Sequence, residues 1–243
     1  MLVRKLKYPP TYITYSLLAG RVKILELAKT WVKGLDETLG GLPDKSVILT
    51  MGEPGSGHDL LAQQILYLHA LKKGKSTYFT TFKPDIVVKN DFADYGWELD
   101  GLEKGKRWEI VDARSMKSIQ AFRKKLSLKI GEGSWTLIDS FSHLLMKWTP
   151  EQAFGIIETL LDGSRTYGGV HLLVLTEGMH TTQTEMAVEE FVDGVIEFVS
   201  KEVGGGINRR IKIKKMKAIH VSRLIPFNLT PQGITVETAV RIA

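Results

Sequence analysis

Short apolar runs alternate with longer amphipathic segments through most of the chain. The apolar runs are rich in Val, Ile, Leu and aromatic residues and predict five strands, over residues 46–52, 76–81, 108–112, 135–139 and 171–176. The segments between them have helical spacing and predict four helices, over residues 59–73, 84–95, 115–128 and 150–162. Strands that alternate with helices form a mainly parallel, twisted sheet with helices on both faces, so the pattern predicts an α/β fold.

The C-terminal part of the chain follows a different pattern. Apolar and polar residues alternate over 194–200 and 208–216, on either side of the glycines at 204–206, which predicts a β-hairpin. A second, shorter hairpin is predicted around Pro231 and Gly233. The sheet should therefore end in antiparallel edge strands.

Neither an internal repeat nor a low-complexity linker divides the chain, so we expect a single domain over residues 30–243 after an N-terminal extension over residues 1–29. The extension starts with basic residues, and a Pro-Pro pair breaks its short apolar stretch, which argues against a signal peptide or a membrane anchor. Part of the extension has a strand-like composition. We expect it to contain a docking strand for a partner, with the candidate contact residues Tyr12, Ile13 and Tyr15.

Composition limits the classes of protein and of site. The 243 residues include 33 basic and 27 acidic side chains, and this net charge of +6 permits contacts with nucleic acid without requiring them. There is no cysteine, so disulfides, cysteine–zinc sites and cysteine nucleophiles are excluded. The absence of cysteine and the scarcity of asparagine favour a thermophilic source. No apolar run approaches the roughly 20 residues of a membrane helix, and we expect a cytoplasmic protein.

A glycine-rich segment, Gly52-Glu-Pro-Gly-Ser-Gly-His-Asp59, separates the strand predicted over residues 46–52 from the helix that follows. Its spacing is typical of a phosphate-binding loop, in which backbone N–H groups and a helix N-terminus hold an anion. Two positions depart from that pattern: His58 stands where a lysine reaches the phosphates, and Asp59 where a hydroxyl binds Mg²⁺. The candidate residues of this glycine loop, for an anion or a weakly bound nucleotide, are Gly52, Gly55, Ser56, Gly57, His58 and Asp59.

The two departures change the charge of the glycine loop. A largely neutral histidine replaces a cation, and a carboxylate stands beside the place where phosphates would lie. At about 4–5 Å and an effective dielectric constant near 20, one such repulsion costs on the order of 3–4 kcal/mol. A structural role explains the same residues, because Asp59 is favourable in the first turn of a helix and glycines allow a tight turn. We prefer this structural interpretation to nucleotide binding.

Several motifs in a fixed order indicate a known family. The chain resembles the KaiC branch of the RecA-type ATPases, to which archaeal KaiC-domain proteins and RadA paralogues belong. The resemblance extends over residues 30–237 and implies a RecA-like P-loop fold, ATP bound at subunit interfaces, and rings or filaments. It is carried by Gly34-Leu-Asp-Glu-Thr-Leu-Gly-Gly-Leu-Pro43, Ser46-Val-Ile-Leu49, the glycine loop, Leu137-Ile-Asp-Ser140 and Lys215-Met-Lys217.

The resemblance also implies roles for particular residues. Asp139 matches the Walker B carboxylate that lies near Mg²⁺ in the family. Lys215 and Lys217 match a segment that reaches the nucleotide of a neighbouring subunit. The family's acidic pair, whose first glutamate activates the attacking water, aligns with Phe82 and Lys83. A phenyl ring cannot accept a proton, so the general base is absent.

Asp139 and Ser140 have a structural interpretation as well. They end a predicted strand in front of an apparent helix, and both residue types are good helix N-caps. We prefer capping slightly to metal binding, because a magnesium ion here would lack phosphate ligands. The histidines show no metal-ligand spacing with carboxylates, so we expect no metal site.

The strand predicted over residues 208–216 carries alternating cations. Arg210, Lys212 and Lys214 point to one face of a strand, and the isoleucines between them point to the core. These three cations would form a basic ribbon that could contact nucleic-acid phosphates. A solvated edge, whose lysines prevent pairing with another strand, is the commoner explanation, and we rank nucleic-acid binding second.

Three functions remain open. We prefer a protein-binding or regulatory subunit that is catalytically inactive or strongly impaired. The reason is that three groups are missing together: the cation that binds the phosphates, the hydroxyl that binds Mg²⁺, and the general base. This function requires a protein or peptide partner, or a second copy of the chain, and no cofactor. One alternative is weak binding or hydrolysis of ATP with Mg²⁺, in which His58 replaces the lysine and Glu177 serves as base. The other is a DNA-associated recombinase paralogue that uses the basic ribbon.

Overall fold

A computed structural model of the protein describes residues 14–18, 21–72, 74–204, 206–217, 219 and 224–238. The strands are β1 (Thr14–Leu18), β2 (Arg21–Leu25), β3 (Leu27–Ala28), β4 (Leu42–Pro43), β5 (Ser46–Gly52), β6 (Lys75–Thr80), β7 (Trp108–Asp112), β8 (Ser134–Asp139), β9 (Val170–Thr176), β10 (Gly194–Val203), β11 (Gly206–Met216), β12 (Ile225–Thr230) and β13 (Gly233–Val236). The helices are α1 (Leu35–Leu39), α2 (His58–Leu71), α3 (Asp85–Asp94), α4 (Asp100–Lys104), α5 (Ile119–Gly131), α6 (Phe141–Lys147), α7 (Pro150–Tyr167) and α8 (Thr182–Phe191).

Nine strands form one sheet, in the order β13-β12-β11-β10-β5-β9-β8-β6-β7. The strands from β10 to β7 in this order are parallel to their neighbours, whereas β10, β11, β12 and β13 pair antiparallel. Both β5 and β8 are buried along their whole length, as expected for strands covered on both faces. The predicted α/β fold, with a mainly parallel sheet and antiparallel edge strands, is confirmed.

Apolar side chains on the two faces of the sheet form two separate cores. Successive residues of a strand point to opposite faces, so Leu137 joins one core and Ile138 the other. The first core includes Leu61 of α2 and Phe227 of β12, and the second includes Phe122 of α5. Burial of one such side chain stabilises the fold by about 1.5–3 kcal/mol. Packing from both sides thus fixes the positions of the strand ends, where the candidate sites lie.

The helix predictions need three corrections. The helix expected over 115–128 begins only at Ile119, because the hydroxyl of Ser118 accepts the Ala121 backbone N–H at 3.2 Å and caps the first turn. The helix expected over 150–162 continues to Tyr167. Two helices, α4 and α8, were not predicted. The first is a single turn, and the second buries only Glu185 and Val188, so neither has a strong apolar periodicity.

The N-terminal extension contains a two-stranded antiparallel sheet of its own, formed by β1 and β2. Tyr15 lies in β1 opposite Ile24. Tyr12 and Ile13 lie outside the described residues, so the predicted docking strand stays a prediction. Next along the chain, β3 pairs with β4 directly before the central strand β5. None of the described helices is long and apolar enough to cross a membrane.

Candidate functional site

The glycine loop connects β5 to α2 at the carboxyl end of the parallel strands. Gly55 and Gly57 have φ values of 78° and 95°, which other residues rarely adopt. Gly57 is the N-cap residue of α2, and a Cβ atom there would lie 3.1 Å from a methyl carbon of Leu229. The loop therefore forms the tight strand-to-helix turn that its glycines predict, with α2 starting at His58.

His58 is turned into the protein and is only 3% exposed. Its Nδ1 atom lies 3.0 Å from the hydroxyl of Ser56, which is also buried. Its Nε2 atom is buried and has no hydrogen-bond partner among the described residues. Burial lowers the pKa of His58, and the nearby charge of Asp59 opposes this shift only in part. The side chain at the position of the phosphate-binding lysine is thus a neutral imidazole at pH 7.

Asp59 lies on the solvent side of the same turn and lines a cavity of about 510 Å³, the carboxyl-end cavity. Asp91 and Asp94 of α3 and Lys83 also line it. The Lys83 ammonium lies 2.5 Å from an Asp91 carboxylate oxygen. Burial lowers the pKa of Lys83, but the bond to Asp91 and the surrounding carboxylates raise it overall, so the side chain is charged. Three carboxylates face one ammonium, and the described walls of the cavity are net negative.

Asp139 ends β8 and is 4% exposed. Its Oδ2 atom accepts hydrogen bonds from the amide of Gln63, at 2.9 Å, and from the hydroxyl of Tyr78. Burial raises the pKa of Asp139, while these two donors oppose the shift and the charge of Asp59 adds to it. The carboxyl group is therefore tied to α2 and β6 by neutral donors.

Ser140 is the N-cap of α6, as predicted, because its hydroxyl accepts the His143 backbone N–H at 3.4 Å. The capping role predicted for Asp139 is wrong, since its carboxyl group points into the core instead. The peptide bond between the two residues is cis. No group of three or more histidine or acidic side chains among the described residues is arranged to hold a metal ion.

The positions aligned with the family's acidic pair carry a stacked aromatic side chain and a lysine. The ring of Phe82 stacks on His143, with ring centres 4.4 Å apart and planes 7° apart. Phe82 is 39% exposed, so its ring is partly open to solvent. Glu177, the alternative base, lies on the other side of the loop, where its backbone N–H donates to the Gly52 carbonyl at 2.9 Å. Burial raises its pKa, and the charge of Glu197 raises it further.

The basic ribbon lies on β11 beside β10 and is partly neutralised. Lys212 forms an ion pair with Glu197 at 3.0 Å, and Lys214 with Glu189 at 2.8 Å. Arg210 lies opposite Pro226 of β12. Sequence reasoning missed these carboxylates, because Glu197 becomes a neighbour only through strand pairing.

The two lysines matched to the inter-subunit segment lie at the end of the same strand. The Lys215 ammonium donates to the backbone carbonyls of Glu189 and Glu190, at 3.3 Å and 2.7 Å, and is thus held against the end of α8. Lys217 is exposed just beyond β11. The ribbon prediction on the apolar side is correct: Ile211 is buried and Ile213 packs against the first core.

Gln63 and Tyr78 are the main residues of the site that the sequence did not reveal. Gln63 lies four residues after Asp59 on α2, so helical spacing places it on the same face. That spacing was a usable signal for Gln63. Tyr78 lies 61 residues before Asp139, and only the parallel pairing of β6 with β8 brings the two together.

Comparisons with known proteins agree with this fold. The family described as "ATPase: KaiC" matches residues 28–240. UPF0273 proteins of Thermotoga maritima and Pyrococcus horikoshii are each 27% identical to this chain, over 88% and 86% of it and 96% and 92% of their own lengths. The crystal structure of a KaiC-like protein from Pyrococcus horikoshii shares the fold, with a TM-score of 0.78, 22% identity, and coverage of 88% of this chain and 100% of that one. The match over most of its length shows that the chain belongs to the KaiC family.

Proposed function

We propose that this KaiC-family protein does not hydrolyse ATP and acts as a protein-binding or regulatory subunit. The main support for this proposal is the charge of the side chains at the glycine loop. A buried, neutral His58 takes the place of the phosphate-binding cation, and Asp59 adds a carboxylate in front of the loop. One unit charge repelled at about 4–5 Å costs on the order of 3–4 kcal/mol at an effective dielectric constant of 20.

The residues around the loop do not fit magnesium-bound ATP. The hydroxyl that binds Mg²⁺ in a P-loop is replaced by Asp59, and the general base is replaced by Phe82. Asp139, which matches the Walker B carboxylate, accepts hydrogen bonds from Gln63 and Tyr78 in the interior of the protein. No hydrolysis step can be assigned to these side chains.

Exposed apolar side chains beside the carboxyl-end cavity support a role in protein binding. Phe82 is 39% exposed, and Ile86 and Val87 at the start of α3 are 59% and 37% exposed. Three large apolar side chains so close together in one exposed segment are typical of a contact surface. We propose that a protein partner or a second copy of this chain covers them.

Calorimetric titration of MgATP and MgADP into the full chain tests the loss of nucleotide binding. We expect no binding by the wild type and binding by the double variant His58→Lys/Asp59→Thr, which restores the cation and the hydroxyl. The variant Asp162→Thr/Thr166→Lys makes the same charge change on the exposed side of α7 and should remain silent. Micromolar binding by the wild type would contradict the proposal.

Light scattering on the purified chain tests the contact surface. If the surface joins two copies, Phe82→Asp/Ile86→Asp should dissociate the oligomer, whereas Met186→Asp, an equally exposed site on α8, should not. If the wild type is a monomer, affinity capture should recover a protein partner that the double variant loses and the control keeps. A monomeric wild type that captures no such partner would contradict the protein-binding role.

A further inference from the structure

A second cavity, of about 450 Å³, lies at the opposite end of the parallel strands, where β6, β7 and β8 begin. We name it the amino-end cavity. Its walls include Lys75, Lys106, Arg107 and Lys129, from three different parts of the chain. Its volume falls in the range typical of small-molecule sites.

The charges of the amino-end cavity do not cancel. Its three glutamates already have lysine partners: Glu103 is paired with Lys89, Glu132 with Lys129, and Glu109 with Lys125 and Lys129. Lys75, Lys106 and Arg107 have no carboxylate partner in the described part of the chain. Lys75 and Arg107 donate only to backbone carbonyls, of Glu132 and of Ala70 and Leu71. Three positive charges therefore remain for a ligand.

Buried polar groups form the floor of the cavity. The hydroxyls of Thr77 and Ser134 lie 2.8 Å apart, the Ser134 hydroxyl donates to the Trp135 carbonyl at 3.2 Å, and both residues are at most 4% exposed. Trp108 also lines the cavity, and its buried indole nitrogen has no hydrogen-bond partner among the described residues. Buried donors are normally paired, so an unpaired one calls for an explanation, and a bound acceptor would supply it.

The backbone at Lys106 adds an independent indication. Lys106 follows the end of α4 in a left-handed conformation, with φ of 54°. The Lys106 and Arg107 N–H groups donate to the carbonyls of Glu103 and Leu102, both at 2.9 Å, which is the pattern of a Schellman turn. Glycine is favoured at this position, because a side chain is strained there. Lys106 therefore places its charge beside the cavity from a backbone conformation that costs stability.

We propose that the amino-end cavity binds a small polyanion, a molecule with two or more phosphate or carboxylate groups. Lys75, Lys106 and Arg107, which have no carboxylate partner among the described residues, supply the attraction, and the indole N–H of Trp108 supplies a directed donor. This site is separate from the glycine loop, which lies at the other end of the strands. It does not depend on the function proposed above.

Calorimetry with magnesium-free pyrophosphate and with citrate tests the site, and the two probes distinguish phosphate from carboxylate ligands. We expect the full chain to bind at least one of them. The double variant Lys75→Gln/Lys106→Gln should weaken binding by about tenfold or more, since each lost charged hydrogen bond contributes about that factor. The control Lys72→Gln/Lys104→Gln removes two exposed cations outside the cavity walls and should change the affinity by less than about twofold.

Two further variants separate this site from the alternatives. Lys83→Gln removes the cation of the carboxyl-end cavity and should leave binding unchanged. Lys106→Gly should raise the melting temperature and yet weaken binding, which a misfolded variant could not do. The proposal is overturned if neither probe binds, if the Lys75/Lys106 variant binds like the wild type, or if Lys83→Gln abolishes binding.

Discussion

The two ends of the parallel sheet carry opposite charge. At the carboxyl end, the cavity of about 510 Å³ beside the glycine loop holds three aspartates and one lysine. At the amino end, the cavity of about 450 Å³ has three cations without carboxylate partners in the described residues. Sheets of this kind commonly bind anions at the carboxyl ends of the strands, where helix N-termini point. This protein has the same backbone arrangement at the carboxyl ends. Its side chains, however, would repel an anion at the carboxyl ends and attract one at the amino ends.

The two ends also differ in how they hold a buried ionisable group. Asp139, at the carboxyl end, is bonded to the neutral donors Gln63 and Tyr78. Lys129, at the amino end, lies between the carboxylates of Glu109 and Glu132, at 2.6 Å and 2.9 Å. At the carboxyl end the acid is thus part of the core. At the amino end Lys129 is balanced by carboxylates, and its neighbours Lys75, Lys106 and Arg107 have no carboxylate partner among the described residues.

The largest expected effect concerns the structural role of Asp139. Asp139→Ala would leave the buried donors of Gln63 and Tyr78 without their acceptor, at about 1–3 kcal/mol each. We therefore expect the free energy of unfolding to fall by about 3–4 kcal/mol in urea denaturation. Asp139→Asn keeps an acceptor and should lie within about 1 kcal/mol of the wild type. If Asp139→Ala were as stable as Asp139→Asn, the carboxyl group would not stabilise the core, and the result would favour the Walker B role of Asp139 near Mg²⁺ instead.

The next effect is a loss of stability in acid, to which two buried histidines at the amino end contribute in the same direction as His58 at the carboxyl end. Burial lowers the pKa values of His69 and His171 to about 4. Their pKa in the unfolded chain is about 6.5, so between pH 6.5 and about 4 the unfolded chain binds more protons. Stability is therefore full above pH 6.5 and falls as the pH decreases, by about 2 kcal/mol per histidine between pH 7 and 5. Burial of Asp139 acts in the opposite direction: its raised pKa lets the folded state take up protons first, which stabilises the fold as the pH falls.

Urea denaturation between pH 5 and pH 7.5 measures this slope, and His171→Asn tests its origin. The amide of asparagine can replace His171 Nδ1 in the hydrogen bond to Thr136, at 3.0 Å in the wild type, but does not titrate. The variant should be less stable at every pH because it is smaller, yet its stability should depend less on pH. A slope equal to that of the wild type would mean that His171 does not contribute to the loss of stability in acid.

A smaller effect, of opposite sign, is expected at the amino-end cavity itself. Lys106→Gly should stabilise the protein by about 0.5–1 kcal/mol, because glycine adopts the left-handed backbone without strain. Lys104→Gly, two residues earlier in the last turn of α4, should instead destabilise it by up to about 1 kcal/mol. Thermal melts in buffer without multivalent anions give both values. A destabilised Lys106→Gly variant would indicate that the lysine is already held by contacts of its own, and the cavity would lose its unpaired charge.

Much of the fold could be predicted because the relevant signals are local. The strands β5 and β7 match their predicted limits, since β5 ends where the glycine loop begins and β7 ends at the polar Asp112. The helix α8 was missed because its buried face consists of only Glu185 and Val188. A helix that packs so little of its surface against the core shows almost no periodic pattern of apolar residues in the sequence.

The sites were predictable only where their residues are adjacent in the chain. The glycine loop and its charge are visible in one short segment, because a phosphate loop is local. The bonds from Gln63 and Tyr78 to Asp139 join residues 76 and 61 positions apart. The amino-end cavity likewise collects Lys75, Lys106 and Lys129 from separate segments. Strand order brings these groups together, and no pattern in a single stretch of sequence contains that order.

The smallest effect is expected at the basic ribbon, a third charged region in which the charges nearly cancel. Lys212 and Lys214 face Glu197 and Glu189, so little positive charge is free to meet a phosphate backbone. Alanine at Arg210, Lys212 and Lys214 together should change the affinity for a single-stranded oligonucleotide by less than about threefold, with almost no change in its salt dependence. Loss of Lys212, whose side chain is 50% exposed, should cost less than about 1 kcal/mol of stability. Fluorescence anisotropy over a range of salt concentrations measures the affinity. A drop of a hundredfold with a reduced salt slope would show that Glu189 and Glu197 release their lysines to a nucleic acid, and the ribbon would then be a nucleic-acid-binding surface.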